Sequence, residues 1–411
     1  MTDKILLDLG ELYISDFLSN VETEYQGKKK ASLTLTLDDV IGAPKLTTAV
    51  DPDLMYGRYW YHSGTNASMT NQLRKIAEEI STRIKFKKGD IWLDIACNDG
   101  TMFRFIPKEF IKIGIDPVED SFLDMSSGLA DSVVQDYFSV DAYKKTGYGD
   151  KKCKVITTIA MFYDLDDPHP FIEDVKEILE EDGLWVVQIS YTPLMVKQMA
   201  FDNICHEHVY YHSLNSLKKL IEPHGFKIVD CSLNDTNGGS CRVYFQKESA
   251  REESFGTQPL RDVCKYRINA FLNFENNELD IANPDVWKEF TIKLNEMKKE
   301  TVNFIREERA KGKTIYGYGA STKGNTLLQY YGLTPDDITA IAERSPEKYG
   351  KFVVGTNIPI VSEKEMRKAK PDYLLVLPWH FIKEFVEREA QFLDNGGKFI
   401  VPCPKFEVIG R

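Results

Sequence analysis

The chain lacks paired cysteines, long apolar runs and a signal-peptide pattern. Its seven cysteines (97, 153, 205, 231, 241, 264 and 403) form no CxxC pair, which argues against a disulfide framework or a cysteine zinc site. No apolar run is long enough to span a bilayer, and the start MTDKILLDLGELY does not place an apolar stretch behind basic residues. We therefore expect reduced cysteines, no membrane partner and a cytoplasmic location.

Positive charge is also in deficit. The formal net charge is -11, whereas sequence-independent binding to nucleic acid requires clustered Lys and Arg. No nucleic-acid partner is expected, and an anionic ligand would have to be bound by groups at its own site, because the overall charge of the chain is negative. With 411 residues the chain is too long for one compact core, which predicts two or three domains.

Two stretches of the chain alternate between strand-like apolar runs and helical segments. The first extends from about Lys87 to Lys247, and its last two runs, FKIVDCSL and SCRVYFQK, are predicted to form an antiparallel hairpin. The second series begins at TIYGYGA and follows a long amphipathic helix in DVWKEFTIKLNEMKKETVNFIREERAKGK. This pattern predicts an α/β protein with two parallel sheets. Near the start, ASLTLTLDDV alternates like an exposed strand.

A candidate nucleotide site lies in the first series. IWLDIACNDGTMFRFI reads as a strand carrying Asp94, a tight loop through Asn98, Asp99 and Gly100, and a helix. The next strand ends in Asp116, where such folds commonly bind ribose hydroxyls. The alternative hypothesis makes Asp99 and Gly100 a simple turn and Asp116 a solvated strand end.

The loop lacks the GxGxxG spacing that accommodates a pyrophosphate, which disfavours NAD and FAD and favours S-adenosyl-L-methionine. Asp136, after another short strand, is predicted to accept a hydrogen bond from the adenine amino group. The full set of predicted cofactor contacts is Asp94, Ala96, Asn98, Asp99, Gly100, Asp116, Asp136, Tyr137, Phe138 and Ala160.

Three of the seven histidines lie in the segment FDNICHEHVYYHSL, residues 201 to 214. His206 and His208 would share a face of an extended segment, but no cysteine pair or further histidine cluster completes a zinc site. Proton transfer needs only one histidine and a nearby carboxylate, which His208 and Glu207 supply. A packing or capping role is the alternative for His206 and His212. No metal is predicted.

Six segments occur together in the order typical of one enzyme family. They are DPDLMYGRYWYHSGTNASM, LDIACNDGTMFRF, DDPHPFIEDVKEIL, FDNICHEHVYYHSL, NGGSCRVY and GYGASTKGNTLLQYYG. The chain thereby resembles the class I S-adenosylmethionine-dependent C-methyltransferases of nucleotide-linked keto-deoxysugars, over about residues 7 to 409. The histidine motif and the GYGASTKGN loop are specific to that family, whereas the Asp-rich loop occurs throughout methyltransferases.

The resemblance implies three parts. These are an N-terminal segment (1–66) related to a zinc-binding one, a Rossmann-like methyltransferase domain (67–250), and a helical connector with a Rossmann-like domain for the nucleotide sugar (251–411). The chain departs from the family in the first part, because DDVIGAPKL stands where a CxxCG turn is expected. No zinc is therefore expected. Cys205 also replaces the tyrosine that precedes the HEH core in well-known members.

The resemblance further implies roles for individual residues. His208 would remove the proton next to the sugar ketone, Glu207 would orient His208 or contact the sugar, and Tyr61 would stabilise the oxyanion. Tyr61 serves equally well as an aromatic packing residue at the domain junction. In GYGASTKGN, the glycine-rich turn and Lys323 are expected to hold the substrate diphosphate, the alternative being an ordinary strand-to-helix turn. The predicted substrate contacts are Tyr59, His62, Cys205, His206, Asn237, Arg242, Gly319, Ser321 and Lys323.

Two further hypotheses stay open. One is methylation of a hydroxyl or amine of a nucleotide sugar instead of a carbon. The other is a catalytically silent protein that binds nucleotide sugars, which the missing cysteines and Cys205 motivate. The oligomeric state is open, although a monomer fits because two α/β domains of this size need no partner to complete their cores.

Overall fold

The N-terminal part forms a small antiparallel sheet. The computed structural model describes residues 4–21, 28–56, 62–65 and 67–411. Strands β1 (Ile5–Tyr13), β3 (Lys30–Asp38) and β4 (Ala43–Leu46) pair in the order β1-β3-β4, and the short β2 (Phe17–Leu18) stands apart from them. The predicted exposed strand is wrong in its exposure. It forms the middle strand β3, whose Leu33 and Leu35 are fully buried.

A seven-stranded sheet follows, in the order β10-β11-β9-β8-β5-β6-β7. Its strands are β5 (Ile91–Ile95), β6 (Ile111–Ile115), β7 (Ser132–Val134), β8 (Cys153–Ile159), β9 (Leu179–Ser190), β10 (Phe226–Asn234) and β11 (Ser240–Lys247). Strands β5 to β9 are parallel. The predicted hairpin of β10 and β11 is confirmed, and β11 also pairs antiparallel with β9.

Helices cover both faces of this sheet. The helices of this part of the chain are α1 (Pro52–Tyr56), α2 (Ala67–Arg83), α3 (Asp120–Ser127), α4 (Val140–Tyr143), α5 (Pro168–Ile178), α6 (Thr192–Lys197) and α7 (Leu214–Ile221). Helices α5 and α7 pack on one face of the sheet and α2 on the other. Helix α5 shows why they form. The Asp167 side chain caps its first turn, Pro168 stands where no backbone N–H is needed, and Phe171, Ile172 and Val175 bury one face.

Two long helices lead to the second sheet. They are α8 (Gln258–Asn277) and α9 (Pro284–Ala310), the second of which confirms the predicted long helix. Helix α9 begins after Asn283, whose side chain accepts a hydrogen bond from the amide of Asp285. Its apolar stripe, which includes Trp287, Phe290 and Leu294, is buried.

The second sheet has the order β15-β13-β12-β16-β17-β18. Its strands are β12 (Ile315–Tyr318), β13 (Ile341–Glu343), β15 (Ile360–Ser362), β16 (Tyr373–Val376), β17 (Lys398–Val401) and β18 (Glu407–Ile409). The short strand β14 (Phe352–Val353) pairs with β2 instead. The helices of this part of the chain are α10 (Thr322–Tyr331), α11 (Glu363–Ala369), α12 (Ile382–Arg388) and α13 (Ala390–Asp394). The strands from β15 to β17 are parallel, so the predicted α/β class with two Rossmann-like sheets is confirmed.

Each sheet has a point where the strand order reverses, which is where ligands bind in open α/β sheets. In the first sheet it lies between β5 and β8, and in the second between β12 and β16. One apolar core joins the N-terminal sheet, the segment from Met195 to Ile204, helix α9 and the second sheet. The second switch point is therefore fixed beside the histidine segment. The predicted domain boundaries at 66/67 and 250/251 stay predictions.

No helix in the described ranges is both long and apolar enough to cross a membrane.

Candidate active site

His208 is held as a neutral imidazole. It is 7% exposed, and its Nδ1 lies 2.8 Å from the carbonyl oxygen of Asn203. Because a carbonyl only accepts hydrogen bonds, Nδ1 carries the proton and Nε2 keeps its lone pair. Burial, reinforced by the charge of Lys323, lowers the pKa of His208 to about 3. The ring packs edge-on against Tyr163, with the two ring centres 4.4 Å apart.

Glu207 and Cys205 lie next to His208. Their ligand-type atoms and one nitrogen of His208 all lie within 4.8 Å of one another. The structure thus brings together Glu207 and His208, the pair that the sequence suggested for proton transfer. Burial raises the pKa of Glu207, while Lys323 opposes that rise.

The same three groups are of the kinds that bind metals, but their surroundings disfavour a cation. Burial raises the pKa of the Cys205 thiol, so the metal-binding thiolate is disfavoured. The positive charge of Lys323 acts on all three groups. A divalent ion would be repelled by this ammonium.

A small pocket lies beside His208. Its lining comes from both ends of the histidine segment and from the strand ends of the first sheet. The lining residues are Tyr163, Ser190, Thr192, Met195, Asn203, His208, Tyr210 and Tyr211. Aromatic rings and hydroxyls of this kind suit a sugar ring, which has apolar faces and a polar edge.

The second sheet supplies the other wall of the site. The Lys323 ammonium, at the start of α10, donates a hydrogen bond to Asn203 Oδ1 at 2.5 Å. From the loop after β16, the Trp379 indole N–H lies 3.1 and 3.0 Å from the two carboxylate oxygens of Asp202. Lys323 also acts electrostatically on the neighbouring His380. The carboxyl ends of β12 and β16 therefore meet the histidine segment.

Two of these neighbours, Trp379 and His380, occur in no motif that the sequence singled out. Asp202 and Asn203 lie inside the histidine segment FDNICHEHVYYHSL, but neither was given a role there. A signal for Trp379 and His380 was present, because WHF comes directly after the apolar, strand-like run DYLLVLP of the second series. Applying the strand-end rule to the second sheet as well as the first would have drawn attention to this loop.

In the loop predicted to hold the diphosphate, several hydrogen-bonding groups already bind other groups of the chain. The Ala320 amide donates to Glu343 Oε2 at 2.7 Å, and the Ser321 hydroxyl caps α10 by accepting from the Gly324 amide at 3.0 Å. Gly319 has φ +86° and lies against Pro378, where a Cβ would come within 2.7 Å. A carboxylate of the chain thus already occupies part of the expected anion cradle. Lys323 points to Asn203 instead.

The predicted cofactor loop lies at the first switch point. Asp116 accepts hydrogen bonds from the amides of Asn98 at 2.7 Å and Val118 at 3.0 Å, and Asp94 accepts one from the Thr157 hydroxyl at 2.6 Å. Burial raises the pKa of Asp116 and raises that of Asp94 to about 7. These contacts make Asp116 a fixed acceptor with lone pairs left for two further donors, such as ribose hydroxyls.

Several residues in the loops after β5 and β8 adopt the left-handed backbone conformation. Gly100 has φ +72°, and Ala96 and Ala160, directly after β5 and β8, also have positive φ. A Cβ on Gly100 would lie 2.7 Å from Ser126 Cα. Asp99 accepts a hydrogen bond from the Gly64 amide at 2.7 Å, so residues 62–65 lie over the loop.

Comparison with known proteins covers most of the chain. A family model described as "Methyltransferase domain" matches residues 66–230, and one described as "C-methyltransferase C-terminal domain" matches residues 235–404. C-methyltransferase NovU of Streptomyces niveus is 29% identical over 365 residues, which cover 89% of this chain and 84% of NovU. The chain thus resembles methyltransferases over residues 66–230 and the C-terminal part of C-methyltransferases over residues 235–404. The predicted methyltransferase activity, and with it the donor S-adenosylmethionine, is supported by these matches.

Solved structures resemble part of the chain. The glycopeptide N-methyltransferase MtfA in complex with S-adenosyl-L-methionine is 13% identical, with a TM-score of 0.33, and the likeness covers 46% of this chain and 96% of MtfA. The N-methyltransferase NodS of Bradyrhizobium japonicum WM9 is 12% identical, with a TM-score of 0.32, and covers 44% of this chain and 94% of NodS.

The remaining predicted cofactor contacts lie toward the surface, near the edge of the first sheet. Asp136 forms an ion pair with Lys145 at 2.6 Å, so this carboxylate already has a partner. Tyr137 is 46% exposed. Phe138 packs against Phe171, with the ring centres 4.9 Å apart. An adenine contact at Asp136 stays a prediction.

Several predicted substrate residues have internal partners. Arg242 is 2% exposed and binds Glu79 on α2 and the side chain of Gln188. His206 Nε2 lies 3.0 Å from the carbonyl oxygen of Ala31 in β3, which matches the packing hypothesis for this residue. Burial lowers its pKa. These contacts point to structural roles.

Of four further predicted positions, the structure describes the side chain of His62 alone. His62 stacks on Phe122 of α3, with the ring centres 4.0 Å apart, and so lies beside the cofactor loop. Tyr59 and Tyr61 lie outside the described residues. Asn237 belongs to the turn Thr236–Gly238, and its side chain is likewise outside the described part. The predicted substrate contacts of Tyr59, His62 and Asn237 and the predicted oxyanion role of Tyr61 stay predictions.

Within the part of the chain that the structure describes, the N-terminal sheet brings together no cysteine ligands for zinc. All seven cysteines occur at position 97 or later. Where the family has its cysteine turn, the Asp38 side chain accepts hydrogen bonds from the amides of Val40 and Ile41, and the Asp38 carbonyl accepts one from Gly42. A turn closed by an aspartate does not fit a structural zinc ion of the cysteine type.

Proposed function

We propose that this protein is an S-adenosylmethionine-dependent C-methyltransferase that acts on a nucleotide-diphosphate-linked keto-deoxysugar. The observation that carries the proposal is His208, a buried neutral imidazole whose Nε2 is left to accept a proton and which lines a pocket together with Tyr163, Ser190 and Tyr210. The first sheet's switch point and the second sheet's switch point both lie near this histidine segment. One switch point belongs to the methyltransferase domain and the other to the C-methyltransferase C-terminal domain. NovU, which matches over most of its length, is itself named a C-methyltransferase.

The reaction begins with a carbon acid. A ketone acidifies the neighbouring C–H of the sugar, and His208 Nε2 accepts that proton. The hydrogen bond from Nδ1 to Asn203 keeps the accepting nitrogen in place. Glu207, next to the ring, stabilises the imidazolium that results. The electron pair left on the sugar carbon becomes the nucleophile.

The methyl donor fits the loop after β5. S-adenosylmethionine, when bound, supplies an electrophilic methyl group. Asp116 would hold the ribose hydroxyls, and the turn through Gly100 would admit the rest of the molecule. The Thr101 hydroxyl, which is fully buried and makes no hydrogen bond with the described residues, is a further polar group at this loop. The site thus offers acceptors and space without a pyrophosphate-binding spacing.

Hydrogen exchange at the sugar separates the three hypotheses. The purified protein is incubated with S-adenosylhomocysteine and a dTDP- or GDP-linked 4-keto-6-deoxysugar in deuterated water, and the sugar is followed by NMR. Wild type is expected to exchange the proton next to the ketone, and His208→Gln is expected to lose exchange and methyl transfer while binding S-adenosylhomocysteine as wild type does. A micromolar affinity, on the order of -8 kcal/mol, is expected in calorimetry.

Other outcomes would redirect the assignment. Methyl transfer without exchange in the wild type would indicate a hydroxyl or amine acceptor. Sugar-nucleotide binding with neither exchange nor transfer would indicate the catalytically silent protein. An active His208→Gln variant would exclude His208 as the base.

A further inference from the structure

Lys323 lies among groups that the proposed chemistry uses. It belongs to the C-methyltransferase C-terminal domain, yet its ammonium bonds to Asn203, five residues before His208 in the methyltransferase domain. The same Asn203 holds His208 through its backbone carbonyl. A single residue therefore links the lysine of one domain to the imidazole of the other.

The surroundings of Lys323 are mostly acidic or neutral. From the histidine segment it faces Asp202, Cys205, Glu207 and His208, and from the loop after β16 it faces His380. A cation in this position favours an ionised Glu207 and an unprotonated His208. Those are the two protonation states that a proton-accepting pair needs.

The loop that carries Lys323 is held by contacts of other residues. The adjoining loop, which the sequence predicted to bind diphosphate, already has its Ala320 amide on Glu343 and its Ser321 hydroxyl on Gly324. The carbonyl of Ala320 accepts a hydrogen bond from the buried Lys348. These contacts hold the loop without Lys323, whose side chain is left to reach the histidine segment.

We propose that Lys323 is a positioning residue that, through Asn203, fixes the His208 tautomer and keeps the Glu207–His208 pair ready to accept a proton. This inference rests on the proposed function for its catalytic consequence. Its structural part needs no substrate. Docking of the C-terminal domain on the histidine segment thereby completes the base, which ties proton abstraction to the domain that would carry the nucleotide sugar.

The first test is nitrogen-15 NMR of the histidine rings without substrate. The His208 signal is identified by its loss in His208→Gln. Wild type is expected to show a single tautomer protonated at Nδ1, whereas Lys323→Met is expected to show a mixture. Lys323→Arg restores the single tautomer, and Lys405→Met, an exposed lysine of the same domain, leaves it unchanged. An unchanged tautomer in Lys323→Met would overturn the proposal.

The second test is the pH profile of the proton exchange and of methyl transfer. For Lys323→Met we expect kcat to fall about tenfold near neutral pH, because most His208 rings would then carry their proton on Nε2 and could not accept another there. The acidic limb should move to higher pH, because removing the cation raises the pKa of His208. Lys323→Arg is expected to recover both. A rise in KM with unchanged kcat and unchanged acidic limb would refute the proposal and make Lys323 a substrate contact.

Asn203→Leu provides a variant that keeps the lysine. It removes the acceptor of Lys323 and should give the same tautomer mixture, and a single tautomer in this variant would exclude the link through Asn203. If the wild type shows a single tautomer that Lys323→Met disrupts, but has no activity, the proposed function alone is refuted. Wild-type activity combined with an unaltered tautomer in both variants would refute this inference alone.

Discussion

Replacing Trp379 by Phe removes the one hydrogen-bond donor that Trp379 offers to the Asp202 carboxylate. Asp202 is 1% exposed, and the indole nitrogen lies 3.1 and 3.0 Å from its two oxygens. A hydrogen bond to a charged group contributes about 1.5–3 kcal/mol, and the smaller ring forfeits about 1 kcal/mol of apolar burial. The free energy of unfolding should therefore fall by about 3 kcal/mol. Urea denaturation followed by far-UV circular dichroism measures it.

Trp287 provides the matched control. Its indole is also buried and donates at 2.8 Å, but to the neutral carbonyl of Ile281. Trp287→Phe loses the same ring area and a neutral hydrogen bond of about 1 kcal/mol, so its cost should be smaller by about 1–2 kcal/mol. In an Asp202→Asn background the cost of Trp379→Phe should fall toward that of Trp287→Phe.

The sign of the pH dependence follows from Asp202. Burial raises its pKa, while Lys323 and the Trp379 hydrogen bond lower it. Removing the indole donor raises the pKa further, so the cost of Trp379→Phe should be largest at pH 8 and shrink as the pH falls and Asp202 becomes protonated. A cost below about 0.5 kcal/mol, or an equal cost in the Asp202→Asn background, would show that no charge-assisted bond joins the two domains here.

Two more predictions concern the first switch point. Gly100→Ala should weaken S-adenosylhomocysteine binding at least about tenfold and cost more stability than the roughly 1–2 kcal/mol of a left-handed alanine, because the new Cβ meets Ser126. Gly396→Ala is the control for the backbone cost alone, since Gly396 has φ +89° and no neighbour within 4 Å of such a Cβ. Equal losses in the two variants, measured by calorimetry and urea denaturation, would contradict the clash. Because burial raises the pKa of Asp94 to about 7, wild type should lose a few kcal/mol of stability as the pH rises from about 4 to 7, and a pH series in which Asp94→Asn keeps the same slope would exclude Asp94 as its source.

The sequence by itself determined the features that repeat locally. Strand-like runs followed by helical periodicity predicted both sheets, the antiparallel hairpin and helix α9, because burial on both faces of a parallel sheet demands near-continuous apolar strands. The same logic predicted that Asp94, Asp116 and the Gly100 turn gather at one edge, since carboxyl ends of parallel strands meet there. Glu207 and His208 were found together because they are adjacent in the chain.

Only the tertiary structure decided which distant groups meet. Lys323 lies 120 residues from Asn203 and Trp379 lies 177 from Asp202, and no local pattern encodes such contacts. They arise because the segment from Met195 to Ile204 shares an apolar core with the second sheet. The same packing places Glu343 on the Ala320 amide, where the sequence predicted a ligand phosphate. A carboxylate of the chain and a bound anion satisfy one amide equally well, and only folding selects between them.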